Sequence, residues 1–215
     1  MHVSISKGNE KLGAIQSVSL PSGNTCIQCD CNKKCYARRI ERRRKSVREA
    51  YQNNLNILIT EPDVYWREVE AAIMLSRFFR FHVSGDIPDE KYLDKMIHIA
   101  KRNPHCEILC FTKKYEFVAD CITRKLAAND IFGDGSFKGY EDVFPQNLHI
   151  ILSAWVGLEM YNPYNLPEAH VRYRDGTTTA KSDAIECGGN CTECAVTDEG
   201  CWTLKSGEQV IFNEH

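Results

Sequence analysis

The chain has 215 residues, of which 43% are hydrophobic and 26% charged, and its formal net charge is −2. This composition is typical of a globular protein and excludes a low-complexity chain. No apolar run approaches the ~18 residues of a membrane-spanning helix, and the first residues lack the apolar core of a secretion signal. We therefore expect a cytoplasmic protein without membrane contact.

Predicted strands and helices alternate along the chain. Apolar runs bounded by turn residues predict strands, and longer stretches of helix formers predict helices. Residues 129–147, which contain several glycines, predict a long connection that acts as a lid or a binding loop. The predicted strands are 14–20, 79–84, 107–112, 148–153, 169–173 and 209–212, and the predicted helices are 36–54, 62–77, 90–101 and 115–128.

This alternation predicts an α/β protein with a mostly parallel sheet. Right-handed crossovers would curl the strands into an open sheet or a partial (β/α) barrel. We expect a single domain in which residues 1–182 form the partial barrel. Residues 183–215 are predicted to form a Cys-rich C-terminal segment that packs on the barrel.

Eight of the eleven cysteines form two tight groups at opposite ends of the sequence. Four closely spaced thiolates suit an iron–sulfur cluster or a zinc ion. The expected cytoplasmic location and the odd number of cysteines argue against disulfides. Group I comprises Cys26, Cys29, Cys31 and Cys35, and group II comprises Cys187, Cys191, Cys194 and Cys201.

Iron and zinc are both compatible with these spacings. The pairs Cys26–Cys29 and Cys191–Cys194 have the two-residue gap that is common in structural zinc sites. The remaining gaps are tighter than in most zinc knuckles, and this favours one or two [4Fe–4S] clusters. The three isolated cysteines, Cys106, Cys110 and Cys121, are predicted to be small buried hydrophobic residues.

Polar residues follow several of the predicted strands. The carboxyl ends of parallel strands lie at one edge of a sheet, where α/β proteins bind ligands. Alternation along the strands further places His149 on one polar inner face with several of these residues. We expect a cofactor or substrate site at this rim, formed by His82, Ser84, Gly85, Asp86, Thr112, Lys113 and Ser153.

The order of these motifs resembles a known family. A first strand leads into cysteines that end in Cys35-Tyr36-Ala37, and Ser84-Gly85-Asp86 and Thr112-Lys113-Lys114 follow. The C-terminal run from Cys187 to Cys194, with Cys201-Trp202 after it, adds to the likeness. Over residues 14–202 the chain resembles phage-borne radical-SAM-like proteins, in particular the gene product 88 family.

The resemblance implies iron–sulfur chemistry in a partial barrel. In radical SAM enzymes, three cysteines hold a [4Fe–4S] cluster whose fourth iron binds S-adenosylmethionine. The spacing C-x3-C-x2-C of such enzymes recurs in Cys187, Cys191 and Cys194, although it normally follows the first strand. Each group here also has a fourth cysteine, which would close the coordination shell. Such a closed cluster transfers electrons or holds the fold.

Three functions therefore remain open. The first is a radical-SAM-like or redox enzyme that acts on a small-molecule substrate at the rim, with unknown catalytic residues. The second is a zinc-binding module that binds nucleic acid through the basic helix 37–48. The third is an electron-transfer or scaffold protein with closed clusters and an electron donor as its partner.

Overall fold

A computed structural model describes residues 2–132 and 140–214 of the chain, so residues 133–139 of the predicted loop at 129–147 lie outside the described residues. An eight-stranded sheet with helices between its strands forms the centre of the fold. The helices are α1 (Cys31–Lys34), α2 (Tyr36–Arg43), α3 (Lys45–Thr60), α4 (Pro62–Met74), α5 (Glu90–Arg102), α6 (Tyr115–Phe132), α7 (Tyr140–Val143) and α8 (Cys191–Thr197). The strands are β1 (Ile5–Ser6), β2 (Gln16–Val18), β3 (Phe78–Phe81), β4 (Glu107–Thr112), β5 (Leu148–Ser153), β6 (Glu168–Arg172), β7 (Ile185–Glu186) and β8 (Gln209–Asn213).

The sheet is mixed but mostly parallel, as predicted. Its strand order is β1-β2-β3-β4-β5-β6-β8-β7, and among the strands that the structure describes only the β1–β2 pair is antiparallel. Strands β2 to β6 therefore lie side by side in chain order, as repeated crossovers of one hand would place them. Within the described residues, β1 and β7 are edge strands and the sheet is not closed into a barrel.

Local sequence explains where several elements begin and end. Pro62 occupies the first turn of α4, where its missing N–H costs nothing. The Asp89 side chain caps α5 by accepting a hydrogen bond from the Tyr92 N–H at 2.8 Å. The predicted helix 36–54 is two helices, because Arg44 has an extended backbone and separates α2 from α3.

The two faces of the sheet have different coverings. On one face, here called the helix face, Phe81, Ile108 and Ile150 pack against α3 to α6 in the larger hydrophobic core. On the other face, here called the segment face, Leu109 and Ile151 pack against a smaller core with the C-terminal Cys-rich segment. That segment contributes Ala195, Trp202 and Leu204.

The prediction of one polar inner face is wrong. Leu109 pairs with His149 and Thr112 pairs with Leu152, so Thr112 lies on the helix face while His149 and Ser153 lie on the segment face. The predicted strand 79–84 also ends early, at Phe81, because His82 has a φ of 59°. This left-handed conformation breaks the alternation and turns the His82 ring onto Tyr92, on the helix face.

The described residues contain no helix that is both long enough and apolar enough to cross a membrane.

Candidate metal centres

Group I lies in the connection that follows β2. Cys26 and Cys29 occupy an irregular segment, Cys31 begins the one-turn helix α1, and Cys35 separates α1 from α2. The thiols of Cys29 and Cys31 are hydrogen-bonded to each other, and Cys35 is an electrostatic neighbour of Cys26 and Cys31. The fold therefore gathers all four cysteines of group I in one place at the carboxyl edge of the sheet.

Burial favours the protonated form of two group I thiols, because it raises the pKa of Cys26 and of Cys31. The pKa of Cys31 is raised to about 12, and the hydrogen bond to Cys29 adds to the effect of burial. Lys113 acts in the opposite direction on both thiols, because its positive charge favours thiolates. Metal binding at group I would therefore release protons, and Lys113 would favour the anionic ligands.

Group II lies on the segment face of the sheet. Cys191 and Cys194 are three residues apart in the first turn of α8, so their side chains point to the same side of that helix. The Cys187 N–H donates to the Ile211 carbonyl at 2.9 Å, and the Cys191 N–H donates to the Lys11 carbonyl at 2.9 Å. These bonds tie the segment to β8 and to the N-terminal loop.

All four cysteines of group II line one small cavity. Its volume is about 20 Å³, which is room for roughly one water molecule. Two cations, Arg80 and Lys11, also line it, and the Arg80 guanidinium stacks on Phe111 at 4.8 Å from the ring centroid. The Arg80 Nε is buried, and it has no hydrogen-bond partner among the described residues.

Burial and the neighbouring thiols raise the pKa of Cys201 to about 12, whereas Arg80 and Lys11 lower it. Four thiolates on a doubly charged metal centre carry a net charge of −2, and two adjacent cations offset it. The charges around group II therefore suit a tetrathiolate centre.

The thiols are gathered but not arranged as metal ligands. Within residues 2–132 and 140–214, no three His, Cys, Asp or Glu side chains have the geometry to hold a metal ion. All eleven cysteines, which lie within those residues, are free. The donor chemistry and the shared location fit a metal centre in each group, and the thiols must rotate to coordinate one. Cys106, Cys110 and Cys121 are fully buried, which confirms their prediction as core residues.

Tyr36 lies between the two groups. Burial of its hydroxyl end raises the pKa of Tyr36, although 36% of the residue is exposed. Arg80 lowers that pKa, and Cys35 and Cys191 both raise it, so a thiol of each group is an electrostatic neighbour. The Tyr36 hydroxyl donates to the Val83 carbonyl at 2.5 Å. One thiol of each group is therefore within electrostatic range of the Tyr36 hydroxyl.

The structure brings four of the predicted rim residues together. Asp86 accepts hydrogen bonds from the Thr112 hydroxyl at 2.6 Å and from the Lys113 N–H at 2.9 Å. The Lys113 ammonium donates to the Ser153 hydroxyl at 2.9 Å. Thr25, one residue before group I, accepts a bond from the Asp86 N–H. This network fixes the Lys113 ammonium beside group I.

The other three predicted rim residues have different surroundings. The Ser84 hydroxyl donates to buried Glu41 at 2.6 Å. Gly85 has a φ of +81°, and a Cβ there would lie 2.8 Å from the Leu20 carbonyl oxygen, so the turn requires glycine. The His82 ring is buried, and its nitrogens have no hydrogen-bond partner in the described chain. Burial and the Arg80 charge lower the pKa of His82 to about 3.

Sequence reasoning missed three residues of these sites. The sequence gives no sign that Arg80 adjoins group II, because only the fold brings the C-terminal segment onto β3. Glu41 looks like one more charge in a basic helix, yet it is 8% exposed and bound by Ser22 and Ser84. Tyr36 adjoins Cys35 in the sequence, and this adjacency was the one available signal.

Replacing Asp86 with Asn is expected to destabilise the fold. The amide cannot accept from the Thr112 hydroxyl, the Lys113 N–H and the Ile87 N–H as the carboxylate does. Loss of one such buried bond costs about 1–3 kcal/mol, measurable by urea unfolding. Asp89→Asn is the matched control, because Asn caps a helix as well as Asp does. Equal stability of the two variants would contradict a bracing role for Asp86.

Comparison with protein families shows the family of the chain. The model of the family described as gene product 88 matches residues 3–155, which include group I and the rim residues but end before group II. No curated protein and no solved structure gave a match. The family match covers more than two thirds of the sequence, and the chain therefore belongs to the gene product 88 family.

Proposed function

We propose that this protein binds an iron–sulfur cluster in each cysteine group and acts as a radical-SAM-like or related redox enzyme at the carboxyl edge of its sheet. The observation that carries the proposal is that the fold gathers two four-thiol groups, each with cations beside it, Lys113 at group I and Arg80 and Lys11 at group II. Cys26, Cys29, Cys31 and Cys35 would hold one cluster, and Cys187, Cys191, Cys194 and Cys201 the other.

A bound [4Fe–4S] cluster supplies one-electron transfer and, where one iron lacks a protein ligand, a position for an external ligand such as S-adenosylmethionine. The protein residues set the conditions for this chemistry. Lys113 is held by Asp86 and Ser153 at the rim, where its ammonium binds anionic groups and favours thiolates at group I.

The proposed fold is a partial barrel. Consecutive parallel strands, with helices on one face and the Cys-rich segment on the other, support this architecture. The substrate would then approach the open rim beside group I, while the segment covers group II.

Zinc is the second candidate, and the group II cavity favours it. A space of about 20 Å³ suits a single ion better than an iron–sulfur cube. Two tetrahedral Zn²⁺ centres would hold the ends of the chain together without redox chemistry.

Metal and acid-labile sulfide analysis of protein purified without oxygen tests the proposal. We expect several irons per chain with matching sulfide, and an EPR spectrum of the reduced protein that changes when S-adenosylmethionine is added. Iron with an unchanged spectrum would mean closed clusters for electron transfer or structure. Zinc without sulfide would refute the iron–sulfur proposal.

A further inference from the structure

A large groove opens at the carboxyl edge of the sheet, next to group I. Its volume is about 730 Å³, within the range of ligand-binding sites. Asp30, Lys33 and Lys34 line it from the group I connection, Trp155 lines it from the connection after β5, and Tyr173 from the residue after β6. Three chain segments that follow parallel strands therefore form one groove, at the edge where α/β proteins bind their ligands.

Two aromatic rings form one wall of this rim groove. The Trp155 and Tyr173 ring centroids are 5.7 Å apart and the rings are perpendicular, so the face of one meets the edge of the other. The Tyr173 hydroxyl accepts a hydrogen bond from the Val156 N–H at 3.1 Å, which fixes this arrangement. Both rings are partly exposed. A rigid, partly exposed indole is a stacking surface for a flat heteroaromatic ring.

Cations surround the aromatic wall. The Lys34 ammonium lies 5.6 Å from the Tyr173 ring centroid, and the Lys113 ammonium lies 6.0 Å from the Trp155 ring centroid. Arg39 and Arg174 also line the groove. The groove carries four cations, Lys33, Lys34, Arg39 and Arg174, against three acids, Asp30, Asp175 and Glu214, and Lys33 and Lys34 form ion pairs with Asp30 and Glu214. Its net charge is therefore positive by one.

The positive charge continues beyond the groove along α2. Arg42 and Arg43 follow Arg39 by three and four residues, so all three lie on one side of the helix, and all three are exposed. A row of exposed arginines that leads from an aromatic wall matches the way proteins bind single-stranded nucleic acid, with bases stacked on rings and phosphates held by cations.

We propose that the rim groove and the arginines of α2 bind a single strand of nucleic acid and place one base against Trp155, beside group I. This proposal names the substrate class of the proposed enzyme. Binding of the strand does not depend on the proposed function, but a reaction on the bound base does. Duplex nucleic acid fits less well, because paired bases do not offer their faces to Trp155.

Fluorescence anisotropy of a labelled DNA strand of about 12 nucleotides tests the proposal. An abasic strand of the same length, which keeps the phosphates, is the comparison probe. We expect the base-containing strand to bind more tightly than the abasic strand. Trp155→Ala should weaken binding of the base-containing strand about tenfold and leave the abasic strand unchanged. Arg43→Ala should weaken both strands and reduce the salt dependence of binding by about one ion.

Lys95→Ala, an exposed cation on α5 outside the groove, is the control and should bind as the unmodified protein does. Equal affinity for the two strands, or no effect of Trp155→Ala, would overturn the proposal. Iron, sulfide and EPR spectra measured on the same samples separate the two claims. If the unmodified protein contains the clusters but does not bind the strand, the proposal of nucleic-acid binding is wrong and the proposed iron–sulfur function stands. If it binds the strand but contains no iron or sulfide, the proposed function is wrong and the binding proposal stands.

Discussion

Cys191→Ala is expected to remove the proposed metal centre of group II and to leave the proposed centre of group I in place. Cys191 lines the group II cavity, and its main-chain N–H and C=O bond to Lys11 and Trp202. Even partners that only orient a metal ligand change affinity about 10–100-fold, so loss of a ligand should weaken binding more than about a hundredfold. Metal content should fall to that of group I alone.

The same substitution should loosen the C-terminal segment. Between β7 and β8 this segment has only one short helix and one 3₁₀ turn, and it buries few apolar side chains: Ala195, Trp202 and Leu204. Metal binding provides about 10–16 kcal/mol in small zinc modules, so a segment of this kind would depend on the proposed metal. Limited proteolysis should cut Cys191→Ala protein between residues 187 and 205 at protease levels that leave the unmodified segment intact.

Cys121→Ala is the matched control for this experiment. Cys121 is a buried residue of α6 that packs in the larger core, and it is far in sequence from both groups. Its loss should lower stability by about 1 kcal/mol and leave the metal content unchanged. If Cys191→Ala retains all of its metal, the assignment of group II as a ligand set is wrong.

The regular elements were predictable where the sequence carries a strong local pattern. β4 and β5 occupy the predicted residues 107–112 and 148–153, because each is a six-residue run dominated by apolar side chains. The start of α4 follows from Pro62 and the start of α5 from Asp89. The short edge strands β1 and β7 were not predicted, since two residues are too few to show a period.

The sites were predictable only in part. The carboxyl-edge rule placed Asp86, Lys113 and Ser153 near group I, and the structure brings them together. The face of Thr112 was not predictable, because strand register depends on neighbouring strands. The face on which the His82 side chain lies was not predictable either, because a left-handed conformation at a non-glycine residue is set by tertiary packing.

The contact of Arg80 with group II was beyond sequence reasoning for a related reason. Arg80 and Cys191 are separated by 110 positions, and β3 and the C-terminal segment meet only once the sheet has formed. The sequence shows an arginine between two phenylalanines in a strand, and this pattern is compatible with an exposed edge. Its role can therefore be argued only from the folded structure.

Arg80→Met is expected to have opposite effects on the metal-free and the metal-bound protein. In the metal-free protein the Arg80 Nε is buried and has no hydrogen-bond partner in the described part of the chain, and removal of such a group stabilises by about 1–3 kcal/mol. Met retains the packing against Phe111. In the metal-bound protein the same change removes a positive charge beside a centre of net charge −2. At an effective dielectric constant of about 20 this costs on the order of 3 kcal/mol.

Thermal unfolding of both forms and the rate of metal transfer to a chelator measure the two effects. Arg80→Met should raise the unfolding temperature of the metal-free protein and speed metal loss from group II. Lys11→Met is the control: the Lys11 ammonium stacks on Phe212 at 4.2 Å, so its removal should speed metal loss without stabilising the metal-free protein. If Arg80→Met destabilises the metal-free protein and leaves metal loss unchanged, Arg80 serves packing alone. If Arg80→Met stabilises the metal-free protein and weakens metal binding, as expected, the fold keeps a costly buried cation because group II holds an anionic centre.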